Sequence, residues 1–305
     1  MSSGIIERGI SRKNQQASRR RFLIIETGKV QDVILATVLI EKLHGHFPDA
    51  PIDFLLRGAN KSLLNGHPLL DEVFSWDAGK AKFKGLFPLL WEIRKRKYNA
   101  VINTSTLAAP GLITAFSGAS RRIGFRNNPL SFLFTKKIPQ NVPPRGADQS
   151  ALSELPIQRN LDLIKSFTDF EPQSPRLYPT EMDFTRVLPL KKAPYVCIAP
   201  DPDWLSPVFP LQPWTDFIRG SAPGTTIYLL GEGSGCTSCD ELSRRADSPN
   251  LKNLCGKLSY LEAAALLRDA AANYLANPVQ IGLGLAVGAP LTPVSASTKP
   301  AFNLS

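Results

Sequence analysis

The chain has 305 residues, 43% of them hydrophobic and 20% charged, with a formal net charge of +10. At about 150 residues per domain this length suits two domains, and the composition excludes a disordered, collagen-like or coiled-coil protein. Residues 1 to 21 hold six basic side chains (Arg8, Arg12, Lys13, Arg19, Arg20, Arg21) against Glu7, which places half of the net charge in a tail. The rest is only mildly basic, which argues against nucleic acid as a partner, because a binding domain concentrates its Lys and Arg on the folded surface.

Residues 1–20 read as a disordered basic tail, with neither the apolar core of a secretory signal nor the acid-free pattern of an organelle presequence. Phe22 to Ile25 is then a short apolar run followed by a glycine turn. A helical pattern comes next, with Val33, Leu35, Leu39, Leu43 and Phe47 on one face. Strands are expected at Ile52 to Leu56, Glu72 to Trp76 and Ala100 to Asn103, with a short helix at Asn60 to Leu64 and an amphipathic one at Phe83 to Tyr98. On that helix Leu90 and Trp91 are expected in the core. Arg121 to Phe125 and Phe132 to Ile138 extend the sheet, and a helix follows at about Leu155 to Phe167.

Residues 171–194, with five prolines, read as a linker between a first domain at 21–170 and a second at 195–305. In the second domain strands are expected at Tyr195 to Ala199, Thr226 to Leu230, Leu251 to Leu254 and Tyr274 to Ala276. Helices are expected at Trp214 to Arg219, Cys239 to Arg245 and Tyr260 to Ala271. Alternation of this kind predicts an α/β protein with two Rossmann-like domains, each on a parallel sheet, facing across a cleft. Function is then sought at the carboxyl ends of strands, in the loops after Ile25, Ala199, Leu230 and Ala276. The uncharged stretches 98 to 120 and 270 to 298 are too rich in Pro, Gly, Asn, Ser and Thr for membrane helices.

Four cysteines without a secretory signal suggest free thiols and a cytoplasmic address. Cys236 and Cys239 form a lone C-x-x-C, and the three histidines (His44, His46, His67) lie far upstream, so no metal is expected. Asp32 opens the first helix, where it suits either a general base or a helix cap. Gly231-Glu232-Gly233-Ser234-Gly235 sits between a strand and a helix, a place where backbone amides hold phosphate, although Glu232 opposes an anion and a plain turn fits equally. Asp201-Pro202-Asp203 reads as a loop rather than a metal motif. Arg94 to Lys97 read as a solvated helix face.

These residues bring a family into view. Leu23 to Ala36, with Asp32 opening a Val-Ile-Leu-Ala helix, resembles the first motif of the family 9 glycosyltransferases, the heptosyltransferase family. Further landmarks follow in order: Phe47-Pro48-Asp49-Ala50, Asn65-Gly66-His67-Pro68, Lys97 to Ile102, Ser117-Gly118-Ala119 before Arg122-Ile123-Gly124-Phe125, Leu229-Leu230-Gly231, Leu254-Cys255-Gly256-Lys257 and Ala286 to Pro290. The resemblance implies the GT-B type of glycosyltransferase fold and transfer of a sugar, heptose in this family, from an ADP-sugar donor to a lipopolysaccharide core or similar glycan acceptor. It places Asp32 as the catalytic carboxylate and implies no cofactor and no metal. Gly28, Gly231, Gly233, Gly235 and Asn277 are the candidates for holding the donor's nucleotide and phosphates. Lys61, Arg122 and Arg126 are those for an anionic acceptor, which would bring the protein to the inner surface of the membrane as a peripheral guest.

The chain departs from the family pattern at several positions. Gln31 stands where a Gly precedes the Asp, Pro207 where a phosphate-holding Lys is usual, and Asn277 to Gly282 where D-S-G-P-M-H is usual. The chain also stops soon after Leu291 to Val294, where family members continue. A weakened donor site is therefore expected, and the alternative reading is a binding or scaffold protein that keeps the fold without the chemistry.

Overall fold

The structure, a computed structural model, describes residues 20–77, 85–140, 149–200, 211–221, 224–233 and 235–293. It divides into two compact units, one ending at Pro175 and the other beginning at Arg176.

The first unit is built on a six-stranded parallel sheet in the order β3-β2-β1-β4-β5-β6. Its strands are β1 (Phe22–Ile25), β2 (Ile52–Leu56), β3 (Glu72–Ser75), β4 (Ala100–Asn103), β5 (Arg121–Phe125) and β6 (Lys136–Ile138). β1, β2 and β4 are buried along their whole length, as strands covered by helices on both faces must be. Buried in β2, Asp53 accepts hydrogen bonds from Arg21, Arg96 and Tyr98, so the one charge within this strand is compensated.

The first helical pattern divides in two, α1 (Val30–Ala36) and α2 (Val38–His46). The break falls at Thr37, whose buried hydroxyl donates to the Ile34 carbonyl at 2.7 Å and competes with the helix's own ladder. α3 (Leu86–Lys95) follows β3, and α5 (Gln149–Ile164) packs against α1, α2 and β5. The uncharged stretch after β4 holds a helix absent from the sequence reading, α4 (Ala108–Phe116). Of the strand expected over Phe132 to Ile138 only β6 forms, because Ser131–Leu133 turn as a 3-10 helix.

The second unit carries a five-stranded parallel sheet in the order β11-β10-β7-β8-β9. The strands are β7 (Tyr195–Ala199), β8 (Thr226–Leu229), β9 (Leu251–Asn253), β10 (Ala272–Leu275) and β11 (Leu291–Pro293). The stretch read as a linker begins this unit: it carries α6 (Glu181–Val187), nucleated by a reciprocal Thr180–Asp183 capping box, and Leu177 N–H donates to the Ala286 carbonyl. A capping box and a buried Val187 thus outweigh the local proline content.

α7 (Gln212–Arg219) turns Trp214, Phe217 and Ile218 into the core, where Trp214 and Phe217 pack edge-on against Tyr274. α8 (Gly235–Ala246), α9 (Tyr260–Arg268) and a further helix missed in sequence, α10 (Pro278–Ala286), complete the unit.

Candidate functional site

At the carboxyl end of the first sheet, β1 runs directly into Glu26, whose N–H donates to the Leu55 carbonyl. Its side chain is 5% exposed and accepts the Gly28 N–H at 2.6 Å and the Thr104 hydroxyl. Burial pushes the Glu26 carboxyl up to about 7 and the charge of Asp32 adds to this, while the Thr104 and Gly28 hydrogen bonds and Arg159 of α5 pull the other way. Asp32, in the first turn of α1, accepts the Lys29 N–H at 3.1 Å. A methyl group on Gly28 would lie 2.8 Å from Glu26 Oε1 and 2.9 Å from Asp32 Oδ2, so these oxygens are no more than 5.7 Å apart. Gly28 is therefore the spacer between two carboxylates, and only a glycine leaves both in place.

Beside the pair lies a cavity of about 380 Å³ lined by Thr27, Arg57, Trp76, Asp77 and Leu107, which follow β1, β2, β3 and β4. Thr27 is buried and its hydroxyl has no hydrogen-bond partner among the described residues. A buried hydroxyl, an indole and two exposed groups of opposite charge, Arg57 and Asp77, suit a polar ring such as a sugar.

Of the residues chosen from the sequence, Asp32, Gly28, Lys61 and Arg126 lie at this edge of the sheet. Lys61 is exposed beside Asn60, whose amide donates to the Gly28 carbonyl, and Arg126 follows β5. Two of the chosen residues are engaged within the protein. Arg122 is drawn back toward the start of β5, its guanidinium donating to the Ala119 and Leu133 carbonyls. It ties together the segments that precede β5 and β6. Gly28, expected at donor phosphate, has its amide held by Glu26. Glu26, Arg57 and Arg159 were not singled out from sequence. For Arg57 the signal was there, since it directly follows a predicted strand.

In the second unit the loop after β8 and the start of α10 come together: a methyl group on Gly235 would touch the Asn277 amide at 3.4 Å. Gly231 packs against sulfur, with the same test placing Cys255 Sγ at 2.9 Å, and Gly233 holds φ 52° in open space. The Asn277 Oδ1 accepts the Val279 and Gln280 N–H groups, so it caps α10 and covers amides that an anion would otherwise use. Glu232 accepts the Tyr260 hydroxyl and adds a negative charge to the loop.

The expectation of four free thiols is corrected here. Cys236 forms a disulfide with Cys255, the two Cα atoms 5.4 Å apart, while Cys197 and Cys239 are buried and free. The C-x-x-C spacing misleads because α8 turns Cys239 into the core and Cys236 toward the loop after β9. Pro207, Asp201 to Asp203 and Ser234 lie outside the described residues.

Two Rossmann-like units, each on a parallel sheet, are the architecture of the GT-B fold class. The model of glycosyltransferase family 9 (heptosyltransferase) matches residues 87–273, and the chain belongs to that family. It is 24% identical over 283 residues to lipopolysaccharide heptosyltransferase 3 of Escherichia coli, covering 89% of this chain and 82% of that one. A glycosyltransferase family 9 structure from Veillonella parvula superposes with a TM-score of 0.74 at 15% identity, covering 89% of this chain and 79% of that one. An E. coli ADP-heptose lipopolysaccharide heptosyltransferase II does so at 0.67 and 18%, covering 89% and 83%. An E. coli heptosyltransferase solved with ADP follows at 0.62 and 16%, covering 89% and 86%.

Proposed function

We propose that the protein transfers a heptose from ADP-heptose to a lipopolysaccharide core sugar. The observation that carries this reading is the Glu26–Asp32 pair at the carboxyl edge of the first sheet, beside a cavity fitted to a polar ring. In this reading Asp32 takes the proton of the acceptor hydroxyl as that oxygen bonds to the anomeric carbon. The bond from that carbon to the diphosphate breaks, and ADP leaves with the electron pair. Glu26, protonable near neutrality, limits the negative charge beside Asp32. Arg57 faces an anionic substituent of the acceptor and Trp76 its ring.

The donor's phosphates are assigned to the loop Gly231 to Gly235, where Glu232 opposes them. Replacing Glu232 with Gln should therefore tighten ADP binding by about five-fold, the effect of removing one partly screened like charge. Calorimetric titration of both proteins with ADP measures it, and unchanged affinity removes the loop from the donor site. The function itself is tested by titrating ADP, UDP and GDP, and then following transfer from ADP-heptose to a heptose-deficient core acceptor. ADP preference with turnover is the expected result. Absence of any nucleotide binding favours the scaffold reading, which the Asn277 cap and Glu232 support.

A further inference from the structure

α3 does not bury the side chains its composition leads one to expect in the core. Leu86 and Ile93 face inward, but Phe87 is 70% and Trp91 59% exposed, one turn apart on the outer face. The same stripe continues into Arg94 and Lys95, with the Lys95 ammonium over the Trp91 ring at 3.3 Å. Arg94 donates to the carbonyl of Phe116, a further exposed aromatic at the end of α4. The only acid on the helix, Glu92, faces Arg96 at 3.7 Å.

Where the stripe ends, a shallow polar depression of about 340 Å³ is lined by Arg94, Lys97, Gly118 and Ser120. Two exposed aromatics beside a cationic depression are unsuited to water alone, and the charge sign selects an anionic partner. A helix with aromatics and basic groups on one face lies in the plane of a lipid interface, its rings at the headgroup level and its cations on phosphate. No described helix is long and apolar enough to cross a membrane, so contact of this kind is made at the surface.

We propose that the outer face of α3 docks on an anionic phospholipid bilayer, with Phe87 and Trp91 entering the headgroup region and Arg94, Lys95 and Lys97 meeting lipid phosphates. The start of α3 lies against Trp76, since a methyl group on Gly85 would approach that indole at 3.9 Å. Docking along α3 therefore brings the cavity of Thr27, Arg57 and Trp76 close to the bilayer. The inference extends the proposed glycolipid acceptor to the surface that carries it, and its test needs neither donor nor acceptor.

The test is cosedimentation of the full chain with phosphatidylcholine vesicles containing or lacking phosphatidylglycerol. Binding to the anionic vesicles is expected, weakened about ten- to hundred-fold by Phe87→Ser with Trp91→Ser, the loss expected from two interfacial rings. Lys95→Gln and Lys97→Gln should each weaken it about five-fold. The basic tail is common to all variants and cancels in the comparison. As a check independent of folding, brominated phospholipid should quench tryptophan emission in the unaltered chain and not the Trp91 share in Trp91→Phe. Equal binding by the double variant overturns the proposal, as does absence of binding by the unaltered chain. A dimer that the double variant dissolves, without any vesicle binding, overturns it in favour of a second copy as occupant. A failed transfer assay with vesicle binding intact refutes the proposed reaction and leaves the docking surface standing.

Discussion

Replacing Asp32 with Asn is expected to lower the rate of sugar transfer by about 10²- to 10⁴-fold, the range for losing a general base. The substitution is a clean one, because Asn keeps an oxygen that can accept the Lys29 N–H, now held at 3.1 Å. α1 therefore stays capped, and the donor loop belongs to the other unit, so nucleotide affinity should hardly change. Asp32→Ala separates the two roles from the other side: it removes the cap as well and should cost about 1 kcal/mol of stability on top of the lost rate. Initial rates with saturating ADP-heptose, alongside thermal melts of both variants, make the comparison. Full activity in Asp32→Asn would reduce the residue to a cap.

The second large effect concerns Glu26 and pH. Its folded value of about 7 lies above the ordinary 4.5, so between these pH values the folded protein holds a proton that the unfolded chain has released. Glu26 then contributes stability that is complete below pH 4.5 and is lost as pH rises through 7. The difference between the two values makes the loss about 3.5 kcal/mol in order of magnitude. Glu26→Gln, which cannot ionise and keeps a carbonyl for the Gly28 N–H, should flatten this slope. Denaturant titrations of both proteins from pH 5 to pH 8 follow it, and identical slopes would show that Glu26 is ionised throughout. The same variant should remove any limb near pH 7 from the transfer rate, if the Glu26 proton controls the charge beside Asp32.

Local pattern carried much of this protein. The apolar runs of β1, β2 and β4 and their spacing to helices sufficed for a parallel α/β sheet, because fully buried strands tolerate only such sequences. Position alone left Asp32 open between a general base and a helix cap, and it was the resemblance to the family's first motif that singled it out as the candidate carboxylate. The family was legible through the order of several weak landmarks. The second unit's strands came out within a residue or two for the same reason.

The rest depended on what packs against what. Whether Trp91 is core or surface follows from which face of α3 meets the sheet, and Leu86 and Ile93 took that place. Cys236 pairs with Cys255 rather than Cys239 because the loops after β8 and β9 meet, a contact between residues 19 apart in sequence. That Arg122 donates to two backbone carbonyls and that Asn277 caps two amides of α10 also follow from the neighbours folding brings to them. The proton on Glu26 was the least legible feature of all. A glutamate after a strand is ordinary in sequence, and only its burial, with the charge of Asp32 nearby, shifts it toward neutrality against the pull of the Thr104 hydrogen bond. Periodicity reports which groups avoid water along one segment. Charge state, disulfide pairing and the free face of a helix depend on neighbours brought from distant segments, and those exist only once the chain has folded.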